Sequence, residues 1–444
     1  MSGKECFEIL DKIFLPKKME NIENIKGYTM KYGHIVENLK EYDGFEVPES
    51  AIVDEVLVSY FKEPMSYTTE NMCEINTHGG NIVVKKILEL CLKNGAEMAE
   101  PGEFTKRAFL NGRIDLLQAE SVIDIIDAKS ERELKAGMNQ LEGRVSKEIH
   151  DIKQKIMDVM VNVEVDIDYP EYDVEEVTNT EINEMLDVVI ADLSRLEKSF
   201  DNGKILKDGV KTAIIGKPNA GKSSLLNCIL NEERAIVTEI EGTTRDTIEE
   251  FVTVEGVPLK LIDTAGIREA KDEVEKIGIT KSKEIAKDAD LIIAIFDSSK
   301  DLTDEDKEIL DIIKNKTAIV VLNKMDLLNK IDENMAEIKN VSKYIVKMST
   351  LEQKGIDDLY KSIGNLFSME EISLDNTTVI TNVRHKNLIS KALNSCREAK
   401  KSMELGMPLD IIAIFLKEIL ENLGEITGET VTDDIIDEIF SKFC

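Results

Sequence analysis

The chain has 444 residues, enough for two or three domains with complete cores, and 42% of them are hydrophobic, an ordinary globular share. Eighty-seven acidic residues against 56 basic ones leave a formal charge of −31, which disfavours an unaided grip on nucleic acid or anionic membrane. No apolar run reaches membrane-spanning length and no basic segment leads into an apolar core at the amino terminus. Cys6, Cys73, Cys91, Cys228, Cys396 and Cys444 lack C-x-x-C spacing and read as reduced thiols of a cytoplasmic protein.

Residues 1–98 read as a small α/β domain. Ile52 to Tyr60 has the β-rich character of a strand, and Gly79-Gly80 leads into an amphipathic helix through Ile82, Val83, Ile87, Leu88 and Cys91. His78, alone beside those glycines, reads as a structural loop residue. From Glu103 to Ile167 the apolar period becomes helical. Leu134, Met138, Leu141, Val145, Ile149, Ile152, Ile156 and Val159 predict one long helix with a single buried stripe. Asp168-Tyr169-Pro170 stops it, and a second helix is expected from Glu181 to Phe200. Helical patterning returns after residue 370, over Lys386 to Leu405, Leu409 to Leu423 and Asp433 to Phe443. The simplest architecture inserts the intervening segment into a helical bundle made by both flanks.

That intervening segment carries the chemistry. Gly216-Lys217-Pro218-Asn219-Ala220-Gly221-Lys222-Ser223 is a complete G-x-x-x-x-G-K-[ST] phosphate loop, entered by strand-like Val210 to Ile215 and left by helical Ser224 to Leu230. Its glycines let amides turn toward a phosphate, Lys222 adds a point charge, and the Ser223 hydroxyl suits Mg²⁺. Asp263-Thr264-Ala265-Gly266 follows a candidate strand, Leu259 to Ile262, and suits water-mediated Mg²⁺ binding and the γ-phosphate. Asn323-Lys324-Met325-Asp326 follows another, Ala318 to Leu322. The Asp326 carboxylate accepts from the N1–H and amino edge of guanine and rejects adenine, which would leave it unpaired; GTP is the expected nucleotide. Ser349-Thr350-Leu351 follows strand-like Tyr344 to Met348 where GTPases place a loop against the base, with Thr350 in the place of the usual Ala. Gly242-Thr243-Thr244-Arg245-Asp246 supplies a switch threonine. Ile267 occupies the position of the common water-positioning Gln, so another group must orient the attacking water; the acids from Glu269 to Glu275 are all candidates.

Pro101-Gly102-Glu103-Phe104-Thr105-Lys106-Arg107-Ala108-Phe109-Leu110-Asn111-Gly112-Arg113-Ile114-Asp115-Leu116, the Gly242-Thr-Thr-Arg-Asp switch, and Gly424 to Glu429 with Ile439 to Cys444 resemble the MnmE (TrmE) family essentially end to end. The resemblance implies an α/β plus α fold: a tetrahydrofolate-binding and dimerisation domain over 1–98, a helical domain over 99–207 and 371–444, and a P-loop GTPase domain over 208–370 inserted into it. It implies a GTP hydrolase that works as a homodimer with the flavoprotein MnmG on C5 of the wobble uridine of tRNA. The product group is aminomethyl or carboxymethylaminomethyl. The cofactors implied are GTP, Mg²⁺, K⁺ and 5,10-methylene- or 5-formyl-tetrahydrofolate, with FAD held by the partner.

By the same resemblance Ser223 and Thr244 would hold Mg²⁺, and Asn219, Thr238, Ile240 and Thr243 would hold K⁺. Glu275 would orient water, and Lys222 and Arg245 join it as catalytic residues. GTP would contact Asn219, Ala220, Gly221, Lys222, Ser223, Ser224, Thr238, Thr243, Thr244, Asp263, Thr264, Ala265, Gly266, Asn323, Lys324, Asp326, Ser349, Thr350 and Leu351. Folate would contact Glu74 and Arg113, the latter in place of a Lys. Thr69, Asn76 and Thr77 depart from the family's folate motif. The family usually begins with a further strand and glycine-rich turn and continues past the cysteine, so the sequence reads as shortened at both ends. Two other functions share the GTP site: a ribosome-assembly GTPase, which the acidic flanks oppose, and a GTP-timed regulatory protein without chemistry on RNA.

Overall fold

A computed structural model describes residues 1–17, 27–42, 46–168, 175–230, 250–262, 278–331, 336–367, 379–441 and 443. The chain divides into two compact units, residues 1–123 with 424–444, and residues 124–423.

The first unit opens with α1 (Cys6–Asp11), β1 (Phe14–Pro16), β2 (Thr29–Val36), β3 (Ile52–Phe61) and β4 (Met72–Asn76). The four strands form an antiparallel sheet in the order β1-β2-β3-β4. Val56, Val58 and Tyr60 alternate to one face of β3 and pack with Leu10, Ile13, Ile35 and Cys73. Helix α2 (Asn81–Lys93) joins this core through Ile87, Leu90 and Cys91. The sequence stripe included Ile82, which is 83% exposed. Five positions from Ile87 along a helix is about 140° around it, which turns Ile82 away from the buried face. Helices α3 (Glu103–Leu110) and α4 (Leu116–Ile126) follow.

In the second unit the expected single long helix is two, α5 (Glu131–Leu141) and α6 (Arg144–Asp168), separated at Glu142-Gly143. Gly143 adopts φ 79°, a left-handed conformation that ends α5. The break changes the buried register: α5 buries Glu133, Gly137 and Gln140 and exposes Leu134 and Met138. The apolar stripe restarts on α6 with Val145, Ile149, Ile152 and Ile156 and runs on to Met160 and Val163. Helix α7 (Glu175–Asp208) packs against α6, with Lys155 donating to Asp192 at 2.9 Å.

Next come β5 (Val210–Ile215), α8 (Lys222–Leu230), β6 (Glu250–Val254), β7 (Val257–Leu261), α9 (Gly278–Asp288), β8 (Leu291–Asp297) and α10 (Asp304–Ile313). They are followed by β9 (Ala318–Asn323), α11 (Ala336–Lys339), β10 (Tyr344–Lys347), α12 (Ile356–Leu366) and α13 (Val383–Glu404). The six strands lie in the order β10-β9-β8-β5-β7-β6, parallel except for β6 against β7. Every residue of β8 and β9 is buried, the pattern of strands covered on both faces. Strand β5 has β8 on one side and β7 on the other, so the topology switches direction there and a crevice is expected beyond its carboxyl end.

The segments that enter and leave this sheet lie together. Ser199 on α7 accepts from Ile380 N–H at 3.1 Å, and a Cβ on Gly203 would meet the Ile380 carbonyl. Helix α13 runs along α7, with Ser390 bonded to Glu197 and Lys400 to Asp187. The nucleotide-type sheet is therefore an insertion between two helices of one bundle. Helix α14 (Leu409–Thr427) follows, and α15 (Asp433–Phe440) returns to the first unit, where Ile436, Phe440 and Phe443 pack on Ala108, Ile114, Leu116 and Ala119.

Candidate functional site

The loop 216–221 leaves β5 at the switch point and delivers Lys222 and Ser223 to the first turn of α8. Its tight curvature demands glycine. Gly221 has φ +110°, and a Cβ there would lie 2.1 Å from Asn323 Nδ2; one on Gly216 would lie 2.5 Å from the Ile295 carbonyl oxygen. Lys222 Nζ donates to the carbonyls of Gly216 and Lys217 at 2.7 and 2.9 Å. Burial pushes the Lys222 ammonium below its ordinary range, and a phosphate anion beside it would reverse that shift.

Asn323, fully buried at the end of β9, binds three segments into one site. Its Nδ2 donates to the Ala220 carbonyl at 2.9 Å and to Thr350 Oγ1 at 3.2 Å, while its Oδ1 accepts from Thr350 N–H at 3.0 Å. The Thr350 hydroxyl thus pairs the second amide hydrogen of Asn323, which explains a Thr where Ala is usual. Asp326, exposed, accepts from Ser349 Oγ at 2.5 Å through Oδ1. That bond orients the carboxylate while Oδ2 retains acceptor capacity for a planar N–H edge, as guanine recognition requires.

Lys324 carries φ 66°, a left-handed backbone that costs a non-glycine residue about 1–2 kcal/mol. Its side chain is fixed to Asp297 at the end of β8, Nζ to Oδ2 2.7 Å. Burial raises the Asp297 carboxyl, but the bonds from Lys324 and Ser299 outweigh it and hold the group below the usual range. Sequence motifs did not single out Asp297; the available signal was an acid ending an all-apolar strand.

In the first unit, Arg113 donates to the Tyr67 carbonyl at 3.0 Å and lies 4.6 Å from the centre of the Tyr67 ring. Asn111 Nδ2 donates to the Thr68 carbonyl at 2.7 Å. Glu70 Oε2 accepts from Ser2 Oγ at 2.9 Å and from Arg107 at 3.1 Å. Glu74 is exposed on β4, opposite Ser59. The structure therefore anchors Arg113 on the 67–68 loop and presents Glu74 from the sheet, without a direct bond between them.

Two family descriptions match: "GTP-binding protein TrmE N-terminus" over residues 1–113 and "MnmE helical domain" over residues 116–444. A Thermoanaerobacter pseudethanolicus protein named tRNA modification GTPase MnmE is 50% identical over 447 residues, covering 100% of this chain and 95% of its own length. One of the same name from Clostridioides difficile is 48% identical over 446 residues, covering 100% of this chain and 94% of its own. The chain belongs to the MnmE family. In this MnmE-family chain Asn219, Ala220, Gly221, Lys222, Ser223, Ser224, Asn323, Lys324, Asp326, Ser349, Thr350 and Leu351 lie along the ends of β5, β9 and β10, and the Asn323 bonds join their segments directly. Leu351 is exposed. Thr238, Ile240, Thr243, Thr244, Arg245, Asp263, Thr264, Ala265, Gly266 and Glu275 lie outside the described residues. Among the described residues no cluster of His, Cys, Asp and Glu could hold a metal, and no helix is long and apolar enough to cross a membrane.

Proposed function

We propose that this MnmE-family tRNA modification GTPase hydrolyses GTP to drive modification at C5 of the wobble uridine, as a homodimer working with the flavoprotein MnmG in the cytoplasm. The observation that carries the nucleotide half is the Asn323 network, which holds the phosphate loop and the base-facing loop as one body. Lys222 would neutralise the β/γ-phosphates, and Asp326, oriented by Ser349, would select guanine. Ser223 with Thr244 would hold Mg²⁺, and Asn219 with Thr238, Ile240 and Thr243 would hold K⁺. The two cations together supply positive charge where the phosphates accumulate negative charge in the transition state. Glu275 would orient the water that Ile267 cannot, and Arg245 would act from the same switch region.

The tRNA-directed half rests on family membership and on the first unit's polar face. Glu74 and Arg113 suit the amino and carboxylate ends of a tetrahydrofolate, the one-carbon donor, as 5,10-methylene- or 5-formyl-tetrahydrofolate. The net charge of −31 leaves the grip on the tRNA phosphates to a local basic patch or a basic partner, and MnmG would be the partner that holds FAD. The decisive experiment is nucleoside analysis of bulk tRNA from a strain lacking the gene. Loss of C5-modified wobble uridine, restored by the intact gene but not by an Asp326→Asn copy, is the expected result; unchanged nucleosides would overturn the reading and leave a ribosome-assembly GTPase or a GTP-timed regulator.

A further inference from the structure

A lysine at the first variable position of a phosphate loop is one more positive charge available to the phosphates. Here that charge is directed elsewhere. Lys217 Nζ lies 2.5 Å from Asp306 Oδ2 and donates to Thr303 Oγ1 at 2.8 Å. The pair is nearly dry, with side chains 17% and 4% exposed. Asp306 is itself held, because the Thr303 N–H and hydroxyl both donate to the same oxygen at 2.9 Å. Thr303 and Asp306 form the first turn of α10, which Ile309, Leu310 and Ile313 seat in the core on one face of the sheet.

Capping α10 needs only Thr303 and Asp306. Adding a buried ion pair contributes little net stability, because desolvation offsets most of the attraction; its use is to fix geometry. What it fixes is the backbone of Lys217, whose carbonyl accepts from Lys222 Nζ at 2.9 Å. At the other end of the same connection, Asp297 holds Lys324 of the guanine motif at 2.7 Å. The connection from Asp297 to Thr303 therefore ties the phosphate loop to the base-reading segment a second time, beside Asn323, whose carbonyl accepts from Ser298 Oγ at 2.6 Å.

We propose that Asp306 is a positioning residue for the nucleotide: through Lys217 it clamps the phosphate loop in its binding shape, and Lys217 does not itself contact phosphate. This deepens the GTPase reading and rests on it, so GDP binding by the unaltered protein is the control; its failure would count against that reading and not against the clamp.

The test is a double-mutant cycle on GDP affinity in the full chain, with Asp306→Asn, Lys217→Met and the pair, each also scored for melting temperature without nucleotide. Each single change is expected to weaken GDP binding about tenfold, the scale of a mispositioned buried polar contact, and the double variant to bind no worse than either single one. GTP turnover should show a raised KM with a smaller change in kcat, since the loop is displaced but its catalytic groups remain. Tighter GDP binding by Asp306→Asn would overturn the proposal, because it would mean that the freed Lys217 reaches the phosphates. Additive losses, or lowered melting temperature with intact affinity, would overturn it equally. Lys217→Met leaves the α10 cap in place and keeps the test open if Asp306→Asn does not fold.

Discussion

Asp326 has one carboxylate oxygen committed to Ser349 and the other available, a division that decides what the site selects. Replacing it with Asn exchanges an acceptor for a donor at the guanine 2-amino position, and xanthine, which carries a carbonyl there, becomes the better partner. Asp326→Asn is therefore expected to shift preference from GTP to xanthosine triphosphate by about 10²-fold or more, measured by competition binding. Unaltered GTP selectivity would remove Asp326 from the base contact. Glu275→Ala addresses hydrolysis instead: GDP affinity should stay nearly constant while single-turnover hydrolysis falls by about 10²-fold. Turnover equal to the unaltered protein would pass the role to another acid between Glu269 and Glu273. At this scale the motifs were legible because each residue type answers a fixed chemical demand. The bonds among them were less so: the Thr350 hydroxyl on Asn323, and Asp297 under Lys324, join residues 27 positions apart in each case. No local pattern records such a pairing.

At the scale of elements, the strands around the nucleotide motifs lie close to their expected bounds, whereas the helix expected over Glu181 to Phe200 extends over Glu175–Asp208. Strand β3 covers Ile52–Phe61 where Ile52 to Tyr60 was expected, because β-branched and aromatic residues there alternate into one core. The failure lay in α5 and α6, whose combined apolar spacing mimicked one helix across Gly143. A helix that buries Glu133 and Gln140 cannot be found by counting hydrophobic residues. Burial raises the Glu133 carboxyl to about 7, with Asp124 adding to the rise while Lys129 N–H and the Lys129 and Lys207 charges oppose it. The folded state thus keeps a proton on Glu133 that the unfolded state releases. Between the unfolded and folded values, from about 4.5 to about 7, the native state binds more protons, so this group's contribution to stability is full below that window and declines as pH rises through it. Glu133→Gln, which remains neutral and still accepts from the Lys129 amide, should reduce the loss of denaturation midpoint between pH 5 and pH 7.5. Equal loss in variant and parent would mean that Glu133 titrates as if exposed.

For the molecule as a whole, the insertion is the governing feature. A nucleotide domain whose entering helix α7 and departing segment touch at Ser199 and Ile380 has both its covalent connections at one place, so a rearrangement at the nucleotide would reach the bundle through α7 and α13 together. A homodimer would let two such domains meet across their switch faces, and the proposed K⁺ site is the feature that would make the meeting depend on the nucleotide. Asn219 is held at φ 61° on the exposed outer curve of the phosphate loop, a place from which its side-chain oxygen can serve a cation beside the phosphates. An ion there would do the work of an arginine finger, supplying positive charge between the phosphates. GTP turnover measured at equal ionic strength and fixed free Mg²⁺ should therefore be about 10²-fold faster in K⁺ than in Na⁺, the lower range of effects seen for lost transition-state charge stabilisation. Asn219→Ala should abolish the difference while retaining GDP binding. Equal rates in the two salts would detach Asn219 from the cation and place hydrolysis within one subunit, leaving the paired helices to report binding alone.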